Sequence, residues 1–435
     1  MKTKHYLVMF LSLALCLSAQ AQKRIMTLDE LFRLADANNK ALKTSLIEIK
    51  IAQESLLSAQ SCRLPDIKTS LSASYIGDGY LWERDFGNGM PIDMPHFGNN
   101  FSLQVAQVIY AGGALNSGIA LADLGVQIAQ LQHEQKRQEV RFLLAGYYLD
   151  IFKLNNQLRV FDQNIALVEK VLEDLRNRHE QGMALKNDLT RYELQLENLR
   201  MQRTRIANGK DILNHQLAQA IGLDTSVEIE PDTTLISRTL LTVAESDWQH
   251  DAANCSPALR QLDLVASMNE QKEQLAKSAR RPKLALISEE HLDGPILIEV
   301  PVINKNFNYW FVGLGLQYDL SSLYKSTHNI RKARLETQRN QEEKAVVAEG
   351  INNGVHAVFV KYQEAVRNIE ICEKTLALAH ENYRMTHNRY DNGLAVLTDM
   401  LDASNSKLSA ELEWVNAKID IVYYYLNLNY LTRKL

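Results

Sequence analysis

The placement of proline constrains this chain more than any other feature. Its eight prolines stand at positions 65, 91, 95, 231, 257, 282, 295 and 301, so residues 96–230 and 302–435 contain none. A proline inside a helix costs about 3 kcal/mol, because it removes a backbone donor and clashes with the preceding turn. Only these two stretches can hold very long helices. Within them apolar residues recur at a seven-residue step. Leu158, Ile165 and Leu172 interleave with Phe161, Val168 and Leu175, and the pattern resumes with Leu189 and Leu196 beside Tyr192, Leu199, Ile206 and Leu213. The second stretch carries Ile369, Leu376 and Tyr383, then Leu401, Leu408, Val415 and Val422 beside Leu412, Ile419 and Leu426. Such spacing makes a coiled-coil seam. Gly182 and Gly393 are the residues best suited to end one helix and admit the next, so two helical hairpins are predicted. Helices over about 113–178 and 322–389 would each run close to ~100 Å at 1.5 Å per residue, which calls for a rod or tube. Gly350 and Gly354 interrupt the second of these, and a packing need or a bend is the expected reason.

The chain also repeats itself. The segment Ala59-Gln60-Ser61-Cys62-Arg63-Leu64-Pro65 returns as Ala276-Lys277-Ser278-Ala279-Arg280-Arg281-Pro282, and Ala41-Leu42-Lys43 returns as Ala258-Leu259-Arg260. Tyr110 matches Tyr318, and around the glycine turns Arg178, Gly182, Ala184 and Asp188 match Arg389, Gly393, Ala395 and Asp399. One unit therefore occurs twice: helix, proline, strand, loop, strand, long helix, glycine turn, helix. The expected division is a leader over 1–21, a first repeat over 22–230, a linking segment over 231–256 and a second repeat over 257–435.

Strands are expected at about 66–111 and 283–320. Ile67, Thr69, Leu71, Ala73 and Tyr75 alternate with Lys68, Ser70, Ser72 and Ser74, the period-2 signature of a sheet with two unlike faces. Phe101, Leu103, Val105, Gln107 and Ile109 are expected on one face, against Ser102, Gln104, Ala106, Val108 and Tyr110. Residues 309–320 fill the same role in the second repeat, with 283–288 less clearly patterned. The loops between strands hold Tyr80, Trp82, Phe86, Phe97 and Phe307, and aromatics gather in this way at the rims of membrane barrels.

The first 21 residues read as a secretory signal: a basic start at Lys2, Lys4 and His5, an apolar run over 6–17, and Ala19-Gln20-Ala21 as the cleavage site. Leu15 before Cys16 argues against lipidation. No later apolar run approaches the ~18 residues of a spanning helix, so any crossing of a membrane falls to strands. Four strands cannot close a barrel in lipid, where at least ~8 are used and open edges are not tolerated. Copies of the chain must pool them, and two, three or four copies satisfy the arithmetic equally.

Catalysis and cofactors find no support. His133-Glu134 and His380-Glu381 lack a second histidine at the metalloprotease spacing, and there is no phosphate-binding loop or nucleophile elbow. Cys62, Cys255 and Cys372 are too far apart for a metal site. A net charge of -4 gives no reason to expect a nucleic-acid partner.

These residues resemble the TolC-like outer membrane efflux proteins. Thr27-Leu28-Asp29-Glu30, Ala35, Asn38-Asn39 and Ala41-Leu42 look like the family's first helix, with Lys40 where a proline is usual; the second repeat keeps Pro257. Residues Val108-Ile109-Tyr110-Ala111-Gly112-Gly113 resemble its exit from a strand into a long helix, whereas the second repeat has Tyr318-Asp319-Leu320-Ser321-Ser322. The glycine turns followed by an aspartate match most specifically. The resemblance implies a mainly α protein with a membrane β-barrel part: a homotrimer whose 12-stranded barrel in the outer membrane, four strands per protomer, continues into a periplasmic α-barrel of coiled-coil hairpins. It implies a passive duct of a tripartite efflux or type I secretion system, opened by a periplasmic adaptor and an inner-membrane pump.

By the same resemblance Asp399 and Asp402, with Asp188 and Tyr390, stand where the tunnel narrows. Gln181, Gly182, Met183, Asn392, Gly393 and Leu394 stand where the adaptor docks. Carboxylates at i and i+3 share a helix face, and a ring of them would favour cations. Their plainer role is to complement the helix dipole in the first turn, worth about 0.3–1 kcal/mol each, and a glycine that ends a helix needs no partner. A basic residue found in this lock in some members is Ala395 here. The rival reading is a periplasmic coiled-coil adaptor, but that would place one hairpin among compact β domains rather than two hairpins alternating with two strand pairs.

Overall fold

The computed structural model describes residues 23–232, 244–299 and 301–435. The leader expected over 1–21 and part of the linking segment over 231–256 lie outside these. The described residues fall into two compact units.

One unit holds Gln132–Leu259 and Val346–Leu435 with the described part of the first 46 residues. It begins with strand β1 (Lys23–Met26) and helix α1 (Leu28–Asn38), whose N-cap Thr27 accepts a hydrogen bond from the Glu30 amide. Helix α2 (Lys40–Ser61) starts after Asn39, which caps it by accepting from the amides of Ala41 and Leu42. Long helices α3 (Ala114–Glu180) and α4 (Lys186–Ile221) form the first hairpin. Strand β6 (Glu228–Pro231) pairs with β1 in parallel. This small sheet was not expected from the sequence, because four-residue strands carry too little periodicity to be seen. Tyr148 on α3 fixes it: its buried hydroxyl donates to the Met26 carbonyl at 2.8 Å and accepts from the Asp232 amide at 2.8 Å. Helix α5 (Glu245–Cys255) lies in the expected linking segment. The second hairpin consists of α7 (Ser322–Asp391) and α8 (Leu397–Leu431).

The heptad positions become the core of the hairpin ends. Phe161, Val168, Leu172, Leu175, Tyr192, Leu196 and Leu199 are buried in one cluster with Leu397 and Met400, and Ile165, Leu189, Tyr383 and Leu401 pack against it. Truncating one such leucine to alanine typically costs about 2–5 kcal/mol. Gly350 and Gly354 lie within an unbroken α7, and an added Cβ at either would meet nothing within 4 Å among the described residues, whose packing therefore does not account for them.

The other unit comprises Ile47–Leu131 and Arg260–Ala345. Its antiparallel sheet has the order β2 (Asp66–Tyr75), β5 (Phe97–Ala111), β7 (Lys283–Gly294), β8 (Phe307–Gln317). A short hairpin of β3 (Gly79–Leu81) and β4 (Met90–Ile92) fills the loop between β2 and β5. Helix α6 (Pro257–Ser278) leads into β7 as α2 leads into β2. The duplication extends to contacts: Arg63 donates to Asn116 at the start of α3, and its counterpart Arg280 donates to Ser326 and Thr327 at the start of α7.

Register gives the sheet two faces. Lys68, Gln104, Glu289 and Phe311 form one row and Ser70, Ser102, His291 and Tyr309 another, so one face is largely polar. On that face Ser70 and Ser102 share a hydrogen bond at 2.8 Å, and His291 stacks on Tyr309 at 5.0 Å. The opposite face carries Ile67, Leu71, Leu103, Val105, Leu286, Trp310, Val312, Leu314 and Leu316. Leu71 is 80% exposed, and Trp310 and Leu316 are 72% exposed. One detail corrects the expected alternation. The register shifts between Val108 and Tyr110, so the bulge at Ile109 moves Tyr110 off the face it was assigned with Ser102. Strand β7 is also longer than its sequence pattern suggested.

Candidate functional site

The two hairpin turns are built alike. At the first, the Gly182 amide donates to the His179 carbonyl at 2.9 Å and the Met183 amide to Arg178 at 2.8 Å; at the second, Gly393 donates to Tyr390 at 3.0 Å and Leu394 to Arg389 at 2.8 Å. Both glycines are left-handed, with φ of 75° and 73°, a conformation that costs a residue with a Cβ roughly 1–2 kcal/mol. This is the αL stop that ends a helix while satisfying its last carbonyls.

Each following helix then starts without a polar cap. The N-cap positions hold Leu185 and Val396, where Ser, Thr, Asp or Asn is preferred. Three residues on, Asp188 and Asp399 satisfy a different donor, the N-cap amide itself. The Leu185 amide donates to Asp188 at 3.4 Å, and the Val396 amide to Asp399 at 3.4 Å. Both carboxylates thus sit on the positive end of a helix dipole. Asp402 lies one turn further along α8, exposed and outside the cap.

Tyr390, on the last turn of α7, is half-buried. The Arg178 guanidinium lies over its ring, 5.7 Å from the centroid, and also reaches Asp391 at 3.4 Å. Burial pushes the Tyr390 phenol up, Arg178 opposes this, and the carboxylates of Asp188, Asp391 and Asp174 reinforce it. The Asp188 carboxylate is thus near enough to act on Tyr390 electrostatically, but among the described residues no hydrogen bond ties Asp188, Asp399 or Asp402 to Tyr390. Deeper in the same cluster Tyr383 is pushed up to about 12, by burial first and then by Asp391. Its ring stacks on His387 at 5.9 Å and lies 5.0 Å from the Lys407 Nζ. Tyr192 is 1% exposed, and its hydroxyl has no hydrogen-bond partner among the described residues.

Sequence reasoning missed Arg178, Asp391 and His387 as members of this cluster, because α3 and α7 meet there across some two hundred residues of chain. It also missed Leu185 and Val396. A usable signal existed: an apolar residue stands at the same N-cap in both repeats, against the local preference. The turn residues Gln181, Gly182, Met183, Asn392, Gly393 and Leu394 are all exposed. With Met183 at 67%, Leu185 at 70%, Leu394 at 70% and Val396 at 62%, the turns present four uncovered apolar side chains.

Chemically, this is an acidic helix-end cluster with one stacked arginine.

No helix among the described residues is long and apolar enough to cross a membrane. No curated protein sequence matches the chain. Solved structures do. The outer membrane protein VceC of Vibrio cholerae matches with TM-score 0.76 and 16% identity, over 93% of this chain and 95% of its own. The CmeC outer membrane channel of Campylobacter jejuni matches with TM-score 0.73 and 15% identity, over 93% and 85%. The open-state MtrE outer membrane channel of Neisseria gonorrhoeae matches with TM-score 0.71 and 16% identity, over 93% and 88%. At these identities the likeness establishes the fold. The family itself follows from the sequence: residues 31–223 and 248–431 match the model of the outer membrane efflux proteins, so this chain belongs to that family.

Proposed function

We propose that the protein is the passive outer-membrane duct of a tripartite efflux or type I secretion system, working as a homotrimer and catalysing no reaction itself. Residues 1–21 direct its export, and the repeats over 22–230 and 257–435, joined by 231–256, each supply two strands and one hairpin to the assembly. The observation that carries this reading is the four-stranded sheet: one face polar, the other apolar and exposed, and both edges unpaired among the described residues. In lipid such edges must be paired, and only further copies of the chain offer strands to do so.

The hairpin turns face the periplasm in this reading. Asp188, Tyr390, Asp399 and Asp402 narrow the duct there. Gln181, Gly182, Met183, Asn392, Gly393 and Leu394, joined by Leu185 and Val396, meet a periplasmic adaptor that couples the duct to an inner-membrane transporter. Support for docking comes from the uncovered apolar side chains, which appear at matching positions in both repeats.

The experiment has two arms. Outer-membrane fractions run without boiling should show an oligomer that heating collapses to single chains; a monomer that needs no detergent overturns the assembly. Gly182→Asn and Gly393→Asn keep a left-handed turn, since asparagine tolerates that conformation. Combined with Met183→Asp and Leu394→Asp, they should abolish export while the oligomer persists. Full export by that variant removes the turns from docking.

A further inference from the structure

The loop between β2 and β5 brings together three metal-binding side chains from both sides of the β3–β4 hairpin. We propose that Asp78, Asp93 and His96 bind a divalent transition-metal ion of the zinc class, which clasps the base of that hairpin.

Topology assembles the site. The β2–β5 ladder ends at Tyr75 opposite Phe97, and the Ile76 amide continues it by donating to the His96 carbonyl at 3.0 Å. The β3–β4 ladder begins at Gly79 opposite Ile92, so one step further toward β2 puts Asp78 level with Asp93. Asp93 and His96 are close in sequence, whereas Asp78 joins them only across the hairpin. One ligand atom from each of the three lies within 4.8 Å of the other two. Atoms bound to a single zinc ion, at about 2.0–2.2 Å each, stand no more than about 4.4 Å apart, so shifts of about 1 Å or less close the three onto an ion. All three side chains are exposed, which leaves them free to make that shift and gives an ion a direct path from solvent.

Two further observations point to a cation. The His96 Nδ1 lies 3.0 Å from the Ile76 carbonyl. A carbonyl only accepts, so Nδ1 carries the hydrogen and Nε2 keeps its lone pair, the arrangement in which a ligating imidazole is usually held. The ring is also stacked on Tyr75, with centroids 5.2 Å apart, which fixes its plane. The carboxylates, for their part, have no counter-charge: among the described residues neither Asp78 nor Asp93 forms an ion pair or a hydrogen bond. Neighbouring carboxylates repel one another, and an ion between them turns that repulsion into attraction.

The hairpin itself gains from a clasp. Strands β3 and β4 share only three residue pairs, and a two-stranded ribbon is marginal by itself. Its turn also holds Phe86 and Asn88 in the left-handed region, at φ of 65° and 48°, where residues with a Cβ are strained. A metal clip at the base closes this loop and removes chain freedom from its open form. Donor chemistry selects the ion. Calcium takes roughly 6–8 oxygen ligands and magnesium also prefers oxygen, whereas one imidazole with two carboxylates suits zinc and its neighbours, water filling the open position. All three ligands come from one chain, so the site does not depend on the number of copies in the assembly.

Zinc titration of the detergent-solubilised protein, first stripped of metal with a chelator, tests the site. Cys62, an exposed thiol, is replaced by alanine in every sample. Each of Asp78→Asn, Asp93→Asn and His96→Gln should take up one zinc fewer per chain than the parent, while Glu83→Gln in the same hairpin should match the parent. With zinc present, trypsin should cut after the exposed Arg84 about tenfold more slowly in the parent than in Asp93→Asn, and cleavage after the exposed Lys305, between β7 and β8, should be equal in both. Equal zinc uptake by the parent and His96→Gln overturns the site. Calcium that protects Arg84 as well as zinc does, in the parent and in His96→Gln alike, overturns the choice of ion. Zinc uptake that needs all three residues but leaves Arg84 unprotected overturns the clasp. Each of these readings stands apart from the heat-sensitive oligomer, whose loss counts against the assembly instead.

Discussion

The guanidinium of Arg178, at the end of α3, covers the ring of Tyr390, at the end of α7, and holds Asp391 beside it. In the proposed closing network it would supply the cation that Ala395, at the expected basic position, does not. The tie is half-exposed, and such pairs contribute about 0–1 kcal/mol to folding. Arg178→Ala should therefore leave the unfolding temperature nearly unchanged while raising single-channel conductance in planar bilayers. Conductance indistinguishable from the parent would take Arg178 out of the lock.

Asp399 and Asp402 share a helix but not a job. Asp399 caps α8 through the Val396 amide, whereas Asp402 is exposed one turn away. Removing a cap costs about 0.5–2 kcal/mol. Asp402→Ala is expected to reduce cation preference, read as a shift in reversal potential, with no change in stability. Asp399→Ala should reduce both, and equal stability of the two variants would contradict the capping assignment.

Tyr192 carries a buried hydroxyl with no partner among the described residues. An unsatisfied buried polar group is destabilising, and deleting it without changing the ring shape should relieve that cost. Tyr192→Phe is predicted to raise stability by about 1 kcal/mol, measurable as a higher unfolding midpoint in detergent. A fall of similar size would show that the hydroxyl is satisfied in the assembled protein.

Asp36 links α1 to α3. Partial burial pushes its carboxyl up, but Arg141 and Arg137 together outweigh this, so it titrates below its ordinary value of 3.8. A carboxylate lowered in the folded state contributes stability that is fully present above the unfolded value and is lost as pH falls through the folded one. Asp36→Asn should remove that component, leaving a variant less stable than the parent near neutral pH but converging with it as pH falls through the lowered folded-state value. Parallel stability curves across that range would count against the linkage.

Much of the fold was legible because its determinants are local and periodic. Proline-free stretches with heptad spacing located α3, α4, α7 and α8, alternation located β2 and β5, and the matched glycine turns placed both hairpin ends.

What the sequence determined by itself was the long helices, the main strands, their duplication and the family to which they belong. Tertiary structure alone decided who meets whom: the Arg178–Tyr390–Asp391 tie, the anchoring of β1 and β6 on Tyr148, and the bulge that turns Tyr110. The reason is physical. Helix and strand periodicity are set by backbone geometry within a few residues, whereas a contact between residues two hundred positions apart depends on how rigid helices stack, and no local pattern encodes that.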